Sequence, residues 1–280
     1  MKKLLLASVA GFVLLGAAPA GAADLQATQA IAPLPVPVPA FTWTGAYLGG
    51  NVGGLDGEFR SDPVTATFLG GRDARRAPPV DAISFTMKRG TDLIGGIQTG
   101  YRWQLGSLVL GLEQDTQFTD LERRFSLPEE LGPRPGETGR LGGAVFSNRL
   151  KFLSATRGQI GFAFDRLLVY ASGGLETGIM DVSALFPARG GIGSPALSYT
   201  DRNKFHIGFT VGGGGEYAIT DNVSLGIDYR YVELKKETYN LGAVVGEGGN
   251  AFSTIADVDF KGHEVLGRIN VKTSGLFGLF

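Results

Sequence analysis

His206 and His263 are the two histidines of this 280-residue chain, and so the side chains best suited to exchange protons near neutral pH. A hydrolytic triad would need a serine and an acid within reach of one of them. Glu264 follows His263 directly, but successive strand residues point to opposite faces, so that pair does not make a dyad. No convincing nucleophile stands near either histidine, and the absence of cysteine removes thiolate catalysis and thiolate metal sites. Gly212 to Gly215 and Gly190-Gly191 lack the helix and the Lys-Ser or Lys-Thr pair of a phosphate loop. Arg72, Arg75 and Arg76 read as solvated loop charge that could also meet phosphate groups. No enzyme and no resident cofactor are expected. What remains for the histidines is solvated rim polarity, or a ligand role at a shared rim.

The elements that would carry these residues have period two. In Asn222 to Glu233, Val223, Leu225, Ile227, Tyr229 and Tyr231 share one face, opposite Ser224, Gly226, Asp228 and Arg230. The same alternation runs through Leu93 to Gln104, Leu108 to Phe118, Lys151 to Phe164, His206 to Tyr217 and Glu264 to Val271. Leu167 to Met180 is less regular, and the stretch near Thr42 to Phe59 is too rich in glycine for its faces to be assigned. Glycine, 44 of 280 residues, is roughly twice its usual share. A formal charge of −1 offers no basic field for nucleic acid.

Lys2 and Lys3, the apolar run Leu4 to Ala18 and the small residues Ala20-Gly21-Ala22 form a signal-peptide pattern, with mature chain expected from Ala23. Pro33, Pro35, Pro37 and Pro39 favour polyproline II, so residues 23–40 read as a semi-rigid periplasmic leader. The barrel is expected over residues 41–280. Its connections alternate in length. Leu105 to Ser107, Asp165-Arg166 and Thr220 to Asn222 are tight. Those near Arg60 to Ala82, Phe125 to Phe146, Phe186 to Ser198 and Tyr239 to Ala256 are long. Short turns at one end and long loops at the other mark a transmembrane β-barrel.

The expectation is therefore an all-β, eight-stranded antiparallel barrel in an outer membrane, with short periplasmic turns and long extracellular loops. Lipid cannot satisfy charge, so the apolar faces should point outward. The lumen should hold Glu113, Glu176, Glu216, Asp228 and Glu264 with Arg102, Arg157, Arg230 and Arg268, a salt-bridged filling rather than a wide channel. Trp43, Tyr101, Trp103, Phe164, Tyr217 and Tyr229 are expected in interfacial girdles. A soluble periplasmic barrel would instead turn its apolar faces inward around a ligand.

Several segments carry a family resemblance. Phe41-Thr42-Trp43-Thr44-Gly45-Ala46-Tyr47-Leu48-Gly49-Gly50-Asn51 follows the proline-rich leader. Further on come Ile94 to Trp103, Leu110 to Glu113, Thr156 to Phe162, Val169 to Leu175 and Asp228 to Tyr231. Together they resemble the alphaproteobacterial porin-like outer-membrane immunogenic proteins, with an OmpA-type eight-stranded barrel. The resemblance implies a surface-exposed structural protein without catalytic residues. Its partners would be outer-membrane lipid, lipopolysaccharide and the barrel-assembly machinery. A narrow porin, or a receptor for hemin or a host surface ligand, is the alternative it leaves open. Such barrels end on an aromatic-rich strand; here the last alternating run passes into Lys272-Thr273-Ser274, with Phe277 and Phe280 beyond.

Overall fold

Alternating apolar and polar residues settle into strands when each face meets the solvent it suits. The computed structural model describes residues 41–70, 82–87, 90–128, 143–186, 197–245 and 251–273. The expected signal peptide and leader, the Arg72, Arg75 and Arg76 cluster, Gly190-Gly191, and Phe277 and Phe280 lie outside the described residues.

The barrel strands are β1 (Gly45–Gly70), β3 (Gly90–Leu105), β4 (Leu108–Ser126), β5 (Val145–Phe164), β6 (Leu167–Phe186), β7 (Leu197–Ala218), β8 (Val223–Val245) and β9 (Ala251–Lys272). Each pairs antiparallel with its sequence neighbour, and β1 pairs with β9 to close the ring. A ninth strand, β2 (Ala82–Thr86), lies within the first long connection. It prolongs the β1 ladder, Arg60 opposite Thr86, above the point where β3 begins. The tight turns appear where the sequence places them, with Gly106 and Asp165 in the left-handed region at φ of 65° and 55°. Over the lower part of the strands, closure removes the open edges that would otherwise invite aggregation.

The strands are longer than a membrane requires. A tilted transmembrane strand needs about 9–11 residues, whereas β5 has 20 and β9 has 22. The outward face shows what is immersed. Tyr101, Trp103, Phe162, Phe164 and Tyr217 form an exposed aromatic ring near the turns, and Phe118, Phe209 and Tyr229 form another towards the long loops. Between them Leu110, Leu112, Ile160, Val169, Leu175, Ile227 and Val265 are exposed. This is an apolar band between aromatic girdles, the outer surface of a transmembrane barrel.

Above the upper girdle the polarity inverts. Leu121, Phe146, Leu150, Met180, Val182, Leu234, Tyr239, Val258 and Phe260 turn inward into one buried apolar cluster, while Asp120, Lys235, Lys236 and Thr238 face solvent. The strands thus continue as a water-exposed barrel with an oily core. The ladders shift register near this transition, between Phe118 and Leu121, Leu150 and Phe152, Met180 and Val182, and Leu234 and Glu237. Bulges of this kind re-aim side chains and keep the hydrophobic set inside. Of the expected long loops, the first is therefore strand as far as Gly70 and the fourth is strand up to Val245 and again from Ala251.

One ladder is incomplete. β7 and β8 pair from Ala218–Ser224 only as far as Gly208–Leu234. Their outer neighbours continue, β6 with β7 to Phe186–Leu197 and β8 with β9 to Val245–Ala251. A seam without a backbone ladder therefore runs up the extracellular wall.

Candidate functional site

The inward residues of the membrane-spanning strands form one buried ionic network. Arg157 on β5 is its hub. Its Nη2 donates to Glu113 Oε1 at 2.5 Å and lies 3.2 Å from Asp115 Oδ2, while Nη1 donates to Asp228 Oδ2 and Ser172 Oγ, each at 3.1 Å. Arg268 donates to Glu113 Oε2 and, at 2.9 Å, to Tyr170 Oη. Tyr47 donates to the same Glu113 oxygen at 2.5 Å, and Tyr170 to Asp228 at 3.2 Å. Arg102 grips Glu216 with two parallel bonds of 2.9 and 2.8 Å, the fork geometry that makes guanidinium–carboxylate pairs strong. Glu216 also accepts from Ser224 and Asn270.

The upper end is less well matched. Arg230 donates to Asp115 at 3.0 Å, and its Nη2 stands 2.8 Å from Glu264 Oε2 without hydrogen-bond alignment. Neither oxygen of Glu176 accepts a protein hydrogen bond, although the residue is buried. Among the described residues, six buried carboxyl groups (Glu113, Asp115, Glu176, Glu216, Asp228 and Glu264) face four guanidiniums (Arg102, Arg157, Arg230 and Arg268). Alternation in the sequence locates nine of these ten. The tenth, Asp115, carries the same signal, being two residues beyond Glu113. Tyr47 was hidden by the glycines around it. Across the ladder on β3, its partner Gly100 is required by close approach, because a Cβ there would sit 2.5 Å from Tyr47 Oη.

The network is covered at both ends. Below it, Trp43 is not in the lipid girdle but turned into the periplasmic mouth, 3% exposed, among Val109, Ala163, Leu168, Tyr170 and Ala218. Its indole donates to Asp165 O at 3.2 Å, and its backbone N–H to Gln104 Oε1 at 2.7 Å. The indole N–H needs an acceptor when buried, and the β5–β6 turn supplies one. Above the network lies the apolar cluster of the extracellular extension.

The two histidines do not share a rim. His206 is fully buried inside the wall, between the outward-facing Phe205 and Ile207. Its Nδ1 donates to Lys235 O at 2.9 Å, which leaves Nε2 to accept from Tyr239 Oη at 2.7 Å. Both nitrogens are thereby committed across the β7–β8 seam. His263 lies on the outer face, its Nδ1 2.8 Å from Tyr229 Oη and its ring stacked on that tyrosine. Joint ligation by the pair is excluded by the barrel wall, because one histidine is inside and the other outside. Among the described residues no group of three or more His, Cys, Asp or Glu side chains is placed to hold a metal ion. Replacing His206 with alanine removes two bonds across the seam and strands the Tyr239 hydroxyl. A loss of about 1–3 kcal/mol is expected, visible as faster proteolysis of the extracellular half with the lipid-embedded half still protected. In the same extension, hydrogen bonds from Ser147 and Arg124 hold the Glu122 carboxyl below its ordinary range.

This architecture defines an integral outer-membrane β-barrel. The chain belongs to the outer membrane protein beta-barrel domain family, which matches residues 10–260. It is 33% identical over 238 residues to the 31 kDa outer-membrane immunogenic protein of Brucella melitensis, covering 84% of this chain and 88% of that one. To the 22 kDa outer membrane protein of Rhizobium leguminosarum it is 29% identical over 203 residues, covering 72% and 70%. Among solved structures, Neisserial surface protein A aligns over 82% of this chain and 97% of its own, with a TM-score of 0.36 and 13% identity. The protein resides in the outer membrane of a Gram-negative bacterium, as the alphaproteobacterial resemblance implied.

Proposed function

We propose that this protein is a sealed, non-catalytic structural barrel that displays an extended β-extension and its loops outside the cell. The observation that carries this reading is the succession inside the lumen: Trp43 in the periplasmic mouth, the ionic network around Arg157, and the apolar cluster of Leu121, Leu150 and Leu234. A solvated ion moving along the axis would have to displace all three. A barrel of eight strands is narrow enough for its side chains to fill it, and fixed mixed charge tied in short pairs offers no run of sites for stepwise passage.

The test is planar-bilayer recording of the folded protein. Brief, irregular events but no steady conductance step are expected. Trp43→Ala should stay equally silent, because the network and the apolar cluster remain above it. A stable step in the wild type would defeat the sealed-barrel reading in favour of a narrow porin.

A further inference from the structure

A lipid-facing wall should be apolar throughout, because hydrocarbon offers no partner to a carboxamide or a hydroxyl. One side of this barrel breaks that rule. Thr99 on β3, Gln114 and Thr116 on β4, Ser154 and Thr156 on β5 and Thr177 on β6 all occupy outward positions. They are contiguous across the ladders. Thr99 stands opposite Gln114 and Gln114 opposite Thr156, while Thr116 stands opposite Ser154 and Ser154 opposite Thr177. Phe118 and Phe205 are exposed above this polar island, and Leu112 and Ile160 below it. On the other side of the barrel the immersed outward positions are apolar or glycine, Val211, Ile227, Val265 and Val52 among them. The polarity is confined to one face.

The island is tied together from within. Gln114 Nε2 donates to Ser154 Oγ at 2.8 Å and to Asp115 O at 3.1 Å, and its Oε1 accepts from Thr156. Ser154 Oγ donates to Asp115 O at 2.8 Å, which leaves Thr116 to donate to Ser154 Oγ at 3.3 Å. Thr177 and Thr99 donate to the backbone oxygens of Ser154 and Tyr47, each at 3.0 Å. The donors are thus committed within one chain, but a carboxamide or hydroxyl oxygen can accept two bonds. Lipid leaves that spare capacity unanswered. Directly below, Gly158 and Gly173 pair across β5 and β6 and make the wall shallow, since a Cβ on Gly158 would meet nothing closer than 3.9 Å.

We propose that this face, centred on Gln114 and Thr156, is where a second copy of the chain docks within the membrane. A symmetric pair inserted in one direction has its two-fold axis along the membrane normal, so each residue meets its own counterpart at the same height. A patch of carboxamide and hydroxyls is its own complement at such an axis, because each group both donates and accepts. Each Gln114 amide would exchange its 3.1 Å bond to Asp115 O for the partner's Gln114 Oε1, and Asp115 O keeps the bond from Ser154. The glycines let the walls approach, as small residues do between membrane helices. The apolar side gains nothing comparable, since lipid solvates it as well as protein does. The docking face lies outside the sealed lumen, so conductance and association can fail separately.

The experiment measures resonance energy transfer between donor- and acceptor-labelled copies of the full chain in phosphatidylcholine vesicles, over a series of protein-to-lipid ratios. The chain has no cysteine. Ser107→Cys, in the β3–β4 turn beneath the island, and Asn222→Cys, in the turn on the far side, therefore each place a single dye. Transfer above random mixing is expected, and more from Ser107→Cys than from Asn222→Cys. Q114L/T156V should keep the gel-migration shift of a folded barrel, since both changes suit lipid. It should need a roughly 100-fold higher protein-to-lipid ratio to associate, two lost bonds at about tenfold each. Gly158→Leu fills the depression without replacing any residue of the island and should weaken association too, which keeps the test decisive if the double variant does not fold. Val265→Leu, on the opposite wall, should associate like the wild type. Random-level transfer in the wild type would overturn the proposal, as would undiminished association of a folded Q114L/T156V or of Gly158→Leu, equal weakening by Val265→Leu, or stronger transfer from Asn222→Cys.

Discussion

Replacing Arg157 with glutamine is expected to cost about 3–5 kcal/mol of folding stability, the penalty for breaking a buried charge network by removing one partner. Arg157 contacts Glu113, Asp115 and Asp228 together. Without it those carboxylates must share Arg230 and Arg268, and six buried carboxyl groups would face three guanidiniums instead of four. The neutral amide is also too short to reach all three acids. Glu176→Gln should behave in the opposite way. Its carboxylate accepts no protein hydrogen bond and adds to an acidic excess, so the amide should leave stability unchanged or raise it. Denaturant unfolding of both variants in lipid vesicles checks the pair. A cost below about 1 kcal/mol for Arg157→Gln, or equal losses for both variants, would show that the contacts around Arg157 do not organise the lumen.

That contrast depends on a site largely legible in the sequence, for a reason specific to membranes. Lipid tolerates no outward charge, so an alternating strand must turn its charged face inward, and Arg102, Glu113, Arg230 and Glu264 can be placed from parity alone. The partners are less accessible. Cross-strand register puts Arg230 opposite Glu264, but the contact of Arg157 with Asp228 spans the lumen between non-adjacent strands, and no local pattern encodes it. Trp43 shows a second limit. An aromatic residue near a strand end fits a girdle or a plug equally well, and only closure of the ring decides that it packs against Val109 and Leu168.

The extracellular extension was hidden by the same rule that exposed the lumen. On β6 the inward positions remain the even-numbered residues throughout, Ser172 and Glu176 below, then Met180, Val182 and Ala184 above. The alternation never stops; the environment changes from lipid to water, and the inward set changes from polar to apolar with it. A single rule for the whole strand assigns apolar residues outward and loses the signal where that rule expires. The register shifts add to the difficulty. On β5, inward residues pass from Leu150 to Leu153 across the irregularity at Lys151, so parity counted from either end fails at the other.

The inversion makes a second large effect predictable from position along a strand. Leu112 on β4 is 57% exposed on the outer face of the immersed half. In a soluble protein an arginine at so open a site would usually change stability by less than about 0.5 kcal/mol. In the bilayer the guanidinium must be desolvated or must drag water and headgroups inward, and Leu112→Arg is expected to cost about 2–4 kcal/mol. Above the upper girdle the rule reverses. Thr238, exposed on β8 in the extension, should accept arginine with little change, because its outward neighbour is water. Equilibrium folding into phospholipid vesicles compares the two, with detergent micelles as a second medium in which the Leu112 penalty should shrink as water gains access. Equal, small costs at both positions would mean that the apolar band from Tyr101 to Phe118 is not immersed in lipid. A soluble barrel would then have to explain why its apolar side chains face outward around an interior of paired charges.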